Sequence, residues 1–122
     1  MTMRNLIRSA ASLAFALTAS IAFAHAQLES ATPAVGGAVA SPSEIRLKFS
    51  EGVEPRFSTI SLATDSGGAV ALGAPSVEPD DQSVLIAKIG KSLAPGVYTV
   101  TWHAVSVDTH KTQGSFNFTV TP

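Results

Sequence analysis

The chain has 122 residues, and 14% of them are charged. Its formal net charge is −1, and it contains no cysteine. The absence of cysteine excludes disulfides and thiolate metal sites. Without the first 24 residues, the chain has six basic and nine acidic residues, which gives a net charge of −3. This balance argues against a nucleic-acid or anionic-membrane partner.

The first 24 residues have the three features of a secretory signal peptide. Arg4 and Arg8 supply positive charge, an apolar run follows at 10–17, and residues 22–24 have the small-x-small pattern of a cleavage site. An uncleaved membrane anchor is the alternative, but this run is rich in alanine and shorter than the roughly 20 strongly apolar residues that a spanning helix needs. We therefore predict cleavage after Ala24 and a mature domain at 25–122.

The mature sequence predicts an all-β domain, because its short segments rich in Val, Ile, Thr and Phe are separated by Gly, Pro, Ser and Asp. Residues 28–39, with a proline and two glycines, predict an edge segment, and residues 75–81 predict a loop. About seven strands with one tryptophan on a long central strand are typical of an immunoglobulin-like β-sandwich; a small barrel is the alternative. The clearest predicted strands lie at 45–49, 58–62, 69–72, 83–89, 97–105 and 115–121.

Asp108 and His110 lie in the predicted loop at 106–114, separated by one residue. In an extended conformation both side chains would point the same way, so one metal ion could accept a carboxylate oxygen and an imidazole nitrogen. Asp-x-His is a weak motif, because an aspartate often caps its own loop by Asx-type hydrogen bonds. For His103, in the middle of a predicted strand, we expect an ordinary outward-facing residue.

Cleavage after Ala24 would make His25 the first residue of the mature protein. Its α-amine and Nδ1 could then close a chelate ring on one metal ion, because a strong Lewis acid displaces the amine proton near neutral pH. One amine, two imidazoles and one carboxylate suit Cu(II) in a square arrangement, whereas Zn(II) prefers a tetrahedron. His25, Asp108 and His110 are therefore our candidate metal ligands.

Several segments together resemble the CopC-like copper-resistance proteins. The resemblance covers nearly the whole mature chain and implies a periplasmic Greek-key β-sandwich that binds Cu(II) through His25, Asp108 and His110. It also implies that Glu51 lies near the metal, as a weak axial or outer group; the alternative is an ordinary loop carboxylate. The segments that carry the resemblance are 25–28, 30–34 with Gly36, 45–51 (IRLKFSE), 93–98 (LAPGVY), 102–110 (WHAVSVDTH) and 114–116 (GSF).

One branch of this family has a methionine-rich loop that forms a separate Cu(I) site. Here the corresponding residues, about 64–79, contain neither methionine nor histidine. We therefore expect a Cu(II) site alone, in a protein that buffers copper or delivers it to a partner such as an inner-membrane copper transporter. We expect a monomer without enzymatic activity.

Two other classes of function are alternatives. An N-terminal histidine with a second histidine also forms the histidine brace of copper-dependent polysaccharide monooxygenases, although 98 residues leave little room for a flat aromatic binding face. A metal-free β-sandwich that serves as an interaction module is the other alternative, and it requires a chain that begins elsewhere than His25.

Overall fold

The computed structural model describes residues 26–122, so the predicted signal peptide and His25 lie outside the described residues. In this part of the chain, no helix is long and apolar enough to cross a membrane. The described residues form nine strands: β1 (Leu28–Thr32), β2 (Ala38–Val39), β3 (Glu44–Phe49), β4 (Thr59–Thr64), β5 (Ala69–Val70), β6 (Ser76–Glu78), β7 (Asp81–Lys88), β8 (Gly96–Val105) and β9 (Lys111–Val120).

The strands form two sheets that pack face to face. One sheet has the order β1-β3-β7-β6 and the other has the order β2-β9-β8-β4-β5. The chain crosses from one sheet to the other after β1, β2, β3, β5 and β7. These separate sheets confirm the Greek-key β-sandwich and exclude the small barrel.

The core is built from strand residues that alternate between buried and outward-facing positions. In β3, Ile45, Leu47 and Phe49 are fully buried, and in β4 the inward residues are Ile60 and Leu62, as the sequence predicts. Strand β8 contributes Tyr98, Val100 and Trp102 from its inner face. The Trp102 ring meets the Phe49 ring edge to face, with centroids 5.1 Å apart, and so joins the two sheets.

Two predictions of local structure are wrong. Residues 76–78, assigned to a loop, form β6, which pairs with β7. The loop assigned to 106–114 is shorter, because β9 begins at Lys111 and pairs with β8 from Val105 onward. The turn between the two longest strands is therefore confined to residues 106–110.

Candidate metal site

The turn at residues 106–110 is closed by backbone hydrogen bonds. The amide of Thr109 donates to the Ser106 carbonyl over 2.8 Å, and the amide of Ser106 donates to the His110 carbonyl over 2.9 Å. Thr109 has a φ of 73°, a left-handed conformation that costs a β-branched residue about 1–3 kcal/mol. The rest of the fold therefore holds this turn in a conformation that its own residues disfavour.

This turn brings Asp108 and His110 together. Oδ1 of Asp108 lies 3.2 Å from Nδ1 of His110, and the two side chains are 39% and 48% exposed. The segment is a tight turn, so the expected extended conformation is wrong, although the predicted proximity of the two side chains is observed. The Asx-type contact is also present in a weak form, with the His110 amide 3.5 Å from Oδ1 of Asp108.

Ser106 fixes the Asp108 carboxylate by a hydrogen bond from its hydroxyl. It is completely buried, and its hydroxyl donates a short hydrogen bond to Oδ1 of Asp108. This hydrogen bond, assisted by those from the His110 side chain and backbone, lowers the pKa of Asp108 below its ordinary value, against the opposing effect of burial. Within residues 26–122, Oδ2 of Asp108 makes no hydrogen bond, so this oxygen is placed to bind a cation.

The start of the described chain is fixed beside this turn. Ala26 is buried, and its carbonyl accepts a 2.9 Å hydrogen bond from Oγ1 of Thr112, two residues after His110. Gln27 is bound to Ser50 in both directions, because its amide donates to Oγ of Ser50 and its carbonyl accepts from the Ser50 amide, each over 2.8 Å. The segment that directly follows His25 is therefore held between the loop after β3 and the first residues of β9.

Glu51 belongs to the loop that borders the same turn. The next residue, Gly52, accepts a 3.0 Å hydrogen bond from the Val107 amide, and Val53 forms an isolated bridge with Ser106. Glu51 is partly exposed at this end of the sandwich. This placement agrees with a Glu51 carboxylate near the Asp108–His110 pair. The role of Glu51 as an outer group of a metal site stays a prediction.

His103 lies apart from the turn, on the outer face of β8 opposite Gln113 and Thr59. Its side chain is exposed and its Nδ1 is 3.5 Å from Oγ1 of Thr59. The expectation of an outward-facing strand residue is therefore confirmed. Within residues 26–122 no three ligand-type side chains come together to hold a metal, so a metal ion bound by Asp108 and His110 would need a further donor from outside this range or from solvent.

Sequence reasoning missed the residues that hold the site. Ser106 precedes Asp108 by two positions, and a Ser-x-Asp spacing is a detectable signal for a hydroxyl–carboxylate contact inside a tight turn. Thr112 carries no comparable signal, because its contact with Ala26 joins residues 86 positions apart. Only the completed fold places them together.

Known proteins resemble this chain over nearly all of the described range. The sequence model of the CopC domain matches residues 28–121. Protein YobA of Escherichia coli strain K12 is 40% identical over 120 residues, which cover 98% of this chain and 97% of that protein. The crystal structure of CopC from Methylosinus trichosporium OB3b is 34% identical with a TM-score of 0.75, covering 80% of this chain and 95% of that one.

A second solved structure, of PcoC from Escherichia coli, is described as a methionine-rich copper resistance protein. It is 35% identical with a TM-score of 0.73, and the match covers 80% of this chain and 99% of that one. The similarity to these proteins is one of sequence as well as of fold, with identities of 34–40% and a CopC domain match at residues 28–121. The chain therefore belongs to the CopC family.

Proposed function

We propose that this protein binds Cu(II) in the periplasm and either buffers it or delivers it to a partner, such as an inner-membrane copper transporter. The observation that carries the proposal is the Asp108–His110 pair, whose oxygen and nitrogen donors lie 3.2 Å apart on a turn beside the anchored start of the chain. Copper is the cargo, and the protein acts as its carrier without catalysis.

The available donors favour Cu(II) over Cu(I). Carboxylate and imidazole suit Cu(II), whereas thiolate and thioether ligands select Cu(I). The chain has no cysteine, and both of its methionines, Met1 and Met3, belong to the segment we expect to be removed. In this respect the protein differs from PcoC, which is described as methionine-rich.

His25 completes the proposed ligand set through its α-amine and its imidazole, with Glu51 as a weak axial or outer group. Support comes from Ala26, one Cα–Cα step of about 3.8 Å after His25, whose carbonyl is bound by Thr112. The amine ligand exists only if the signal is cleaved after Ala24, which makes cleavage a requirement for the site.

Cu(II) titration of the chain 25–122 tests the ligand assignment. We expect Asp108→Ala and His110→Ala to lower Cu(II) affinity by orders of magnitude while the fold survives, because both side chains are substantially exposed. His103→Ala is the matched control, since it removes an exposed histidine that lies apart from the turn. Equal affinity in the wild-type and His110→Ala proteins would overturn the assignment.

Electron paramagnetic resonance of the copper-loaded protein separates this function from the oxidative enzyme. We expect a spectrum of a square site with nitrogen and oxygen ligands, altered in Asp108→Ala. Because the carboxylate stabilises Cu(II) over Cu(I), we also expect ascorbate-driven peroxide production no faster than with free copper. Production well above that level would support the enzyme instead.

A further inference from the structure

Phe57 is an exposed aromatic residue in a well-fixed position. The residue is 67% exposed, the highest value among the large hydrophobic residues of the described range. It ends a short 3-10 turn, Pro55–Phe57, and both flanking residues are bound to the end of β8. The amide of Glu54 donates to the Val105 carbonyl over 2.8 Å, and Oγ of Ser58 accepts from the Val105 amide over 3.0 Å. Single exposed hydrophobic residues are common, so this exposure needs a second observation.

The second observation is a cavity of about 340 Å³ beside Phe57, on the outer face of the five-stranded sheet. Phe57 forms one wall, and His103, Lys111 and Gln113 from β8 and β9 contribute to the rest. The cavity lies next to the candidate metal site, because Lys111 pairs with Val105 at the base of the turn that carries Asp108 and His110. An aromatic wall with polar groups opposite is typical of a hydrophobic anchor point at a protein interface.

The third observation is the distribution of positive charge. Three basic residues of the described range are used in ion pairs on the outer face of the four-stranded sheet, namely Arg46, Lys48 and Lys88. Arg56 and Lys111 make no ion pair within residues 26–122, and Lys111 lines the cavity while Arg56 precedes Phe57. Glu54, three residues before Phe57, is the acidic residue closest to it in the sequence. A mature chain with a net charge of −3 thus has one cation without an ion pair lining the cavity with Phe57, and another directly before Phe57 in the chain.

We propose that this surface, the Phe57 surface formed by Arg56, Phe57, His103, Lys111 and Gln113, docks an acidic segment with an apolar side chain. The apolar side chain fills the cavity against Phe57, and the acidic groups meet Arg56 and Lys111, which speeds and orients the encounter. The identification of this segment as part of a protein that exchanges copper rests on the proposed function, because the surface borders the Asp108–His110 turn.

Two synthetic peptides test the proposal on metal-free, ¹⁵N-labelled chain 25–122. One carries glutamates and aspartates around a central leucine, and the other has lysine at every acidic position. We expect the acidic peptide alone to shift amide resonances, clustered at residues 56–57, 103 and 111–113. Shifts of equal size with both peptides, or shifts centred elsewhere, would overturn the proposal.

Matched variants sharpen this experiment. Phe57→Ser and Lys111→Glu are expected to weaken binding of the acidic peptide at least tenfold. Val35→Ser removes another exposed hydrophobic side chain and Lys91→Glu another unpaired lysine, both away from the cavity, and we expect both to bind the peptide like wild type. Loss of binding in these two controls would contradict the assigned location.

Copper affinity and sedimentation of the same proteins separate the remaining outcomes. Phe57→Ser should bind Cu(II) like wild type, because Phe57 supplies no ligand. Peptide binding in a protein that binds no copper would confirm the Phe57 surface while refuting the proposed function. Self-association abolished by Phe57→Ser would instead assign the surface to a second copy of this chain and overturn the acidic partner.

Discussion

At the scale of single residues, the buried hydroxyl of Ser106 sets the orientation of the Asp108 carboxylate. Outer groups that orient metal ligands typically affect metal affinity by about 10- to 100-fold. We therefore expect Ser106→Ala to weaken Cu(II) binding by roughly this factor, with a modest loss of stability as well, because a buried hydrogen bond is removed. Competitive Cu(II) titration and urea unfolding measure the two effects separately.

Ser58→Ala is the matched control for this prediction. Ser58 is also a buried serine with two hydrogen bonds, donating to the Glu54 carbonyl over 2.7 Å and accepting from the Val105 amide. We expect a similar loss of stability with unchanged Cu(II) affinity. If both variants lost affinity equally, Ser106 would act only through general stability and would have no orienting role.

The turn itself shows what residue-level reasoning predicts and what it misses. The identities of Asp108 and His110 were sufficient to predict a donor pair, because their spacing allows only a short separation. The geometry of the pair could not be predicted, because it depends on the left-handed conformation of Thr109. A threonine at this position gives no indication of that conformation. The hydroxyl of Ser106 is placed by the same turn.

At the scale of elements, the pairing of β8 with β9 depends on the absence of a side chain at Gly114. A Cβ at this position would lie 2.7 Å from Cζ2 of Trp102, which pairs with Gly114 in the register. We expect Gly114→Ala to destabilise the fold by about 1–3 kcal/mol, because the indole must shift inside a packed core. Urea unfolding followed by Trp102 fluorescence measures this loss.

Gly90→Ala provides the control, since no atom lies within 4 Å of a Cβ built there. We expect its unfolding midpoint to stay close to that of wild type. A destabilisation equal to that of Gly114→Ala would show that loss of glycine, and not contact with Trp102, is responsible.

The long strands were predictable because their alternation is strong, whereas β6 was not. Residues 76–78 stand between two prolines and lack a run of β-branched residues. They become a strand by pairing with the adjacent β7, and an ion pair joins Glu78 to Arg46 of β3. The ion pair joins residues 32 positions apart, and no local pattern encodes it.

At the scale of the whole molecule, the outer face of the four-stranded sheet makes stability depend on pH. Hydrogen bonds from Lys88 and then Arg46 lower the pKa of Glu44 below its ordinary 4.5. Hydrogen bonds from the hydroxyl and the amide of Ser83 lower the pKa of Asp81 below its ordinary 3.8. A carboxyl whose pKa is lowered in the folded state stabilises the fold above its ordinary pKa, and this contribution is lost as the pH falls through the folded value.

We therefore expect the free energy of unfolding of the metal-free protein to fall on acidification below about pH 4.5. Glu44→Gln should be less stable than wild type at neutral pH and should lose less stability on acidification. Urea unfolding over a series of pH values measures both. Added salt should reduce the difference, because these ion pairs are partly exposed. An equally steep acid loss in Glu44→Gln would contradict this account.

The contact between Thr112 and Ala26 has a consequence for the timing of maturation. Thr112 lies 86 positions after Ala26 in the sequence. In a polypeptide that crosses a membrane N-terminus first, Ala26 therefore crosses early and Thr112 late. The donors of the proposed site can meet only when the last strand has arrived and folded. If the chain is exported and cleaved as proposed above, copper loading follows translocation, and a chain truncated before β9 should be unable to bind the metal.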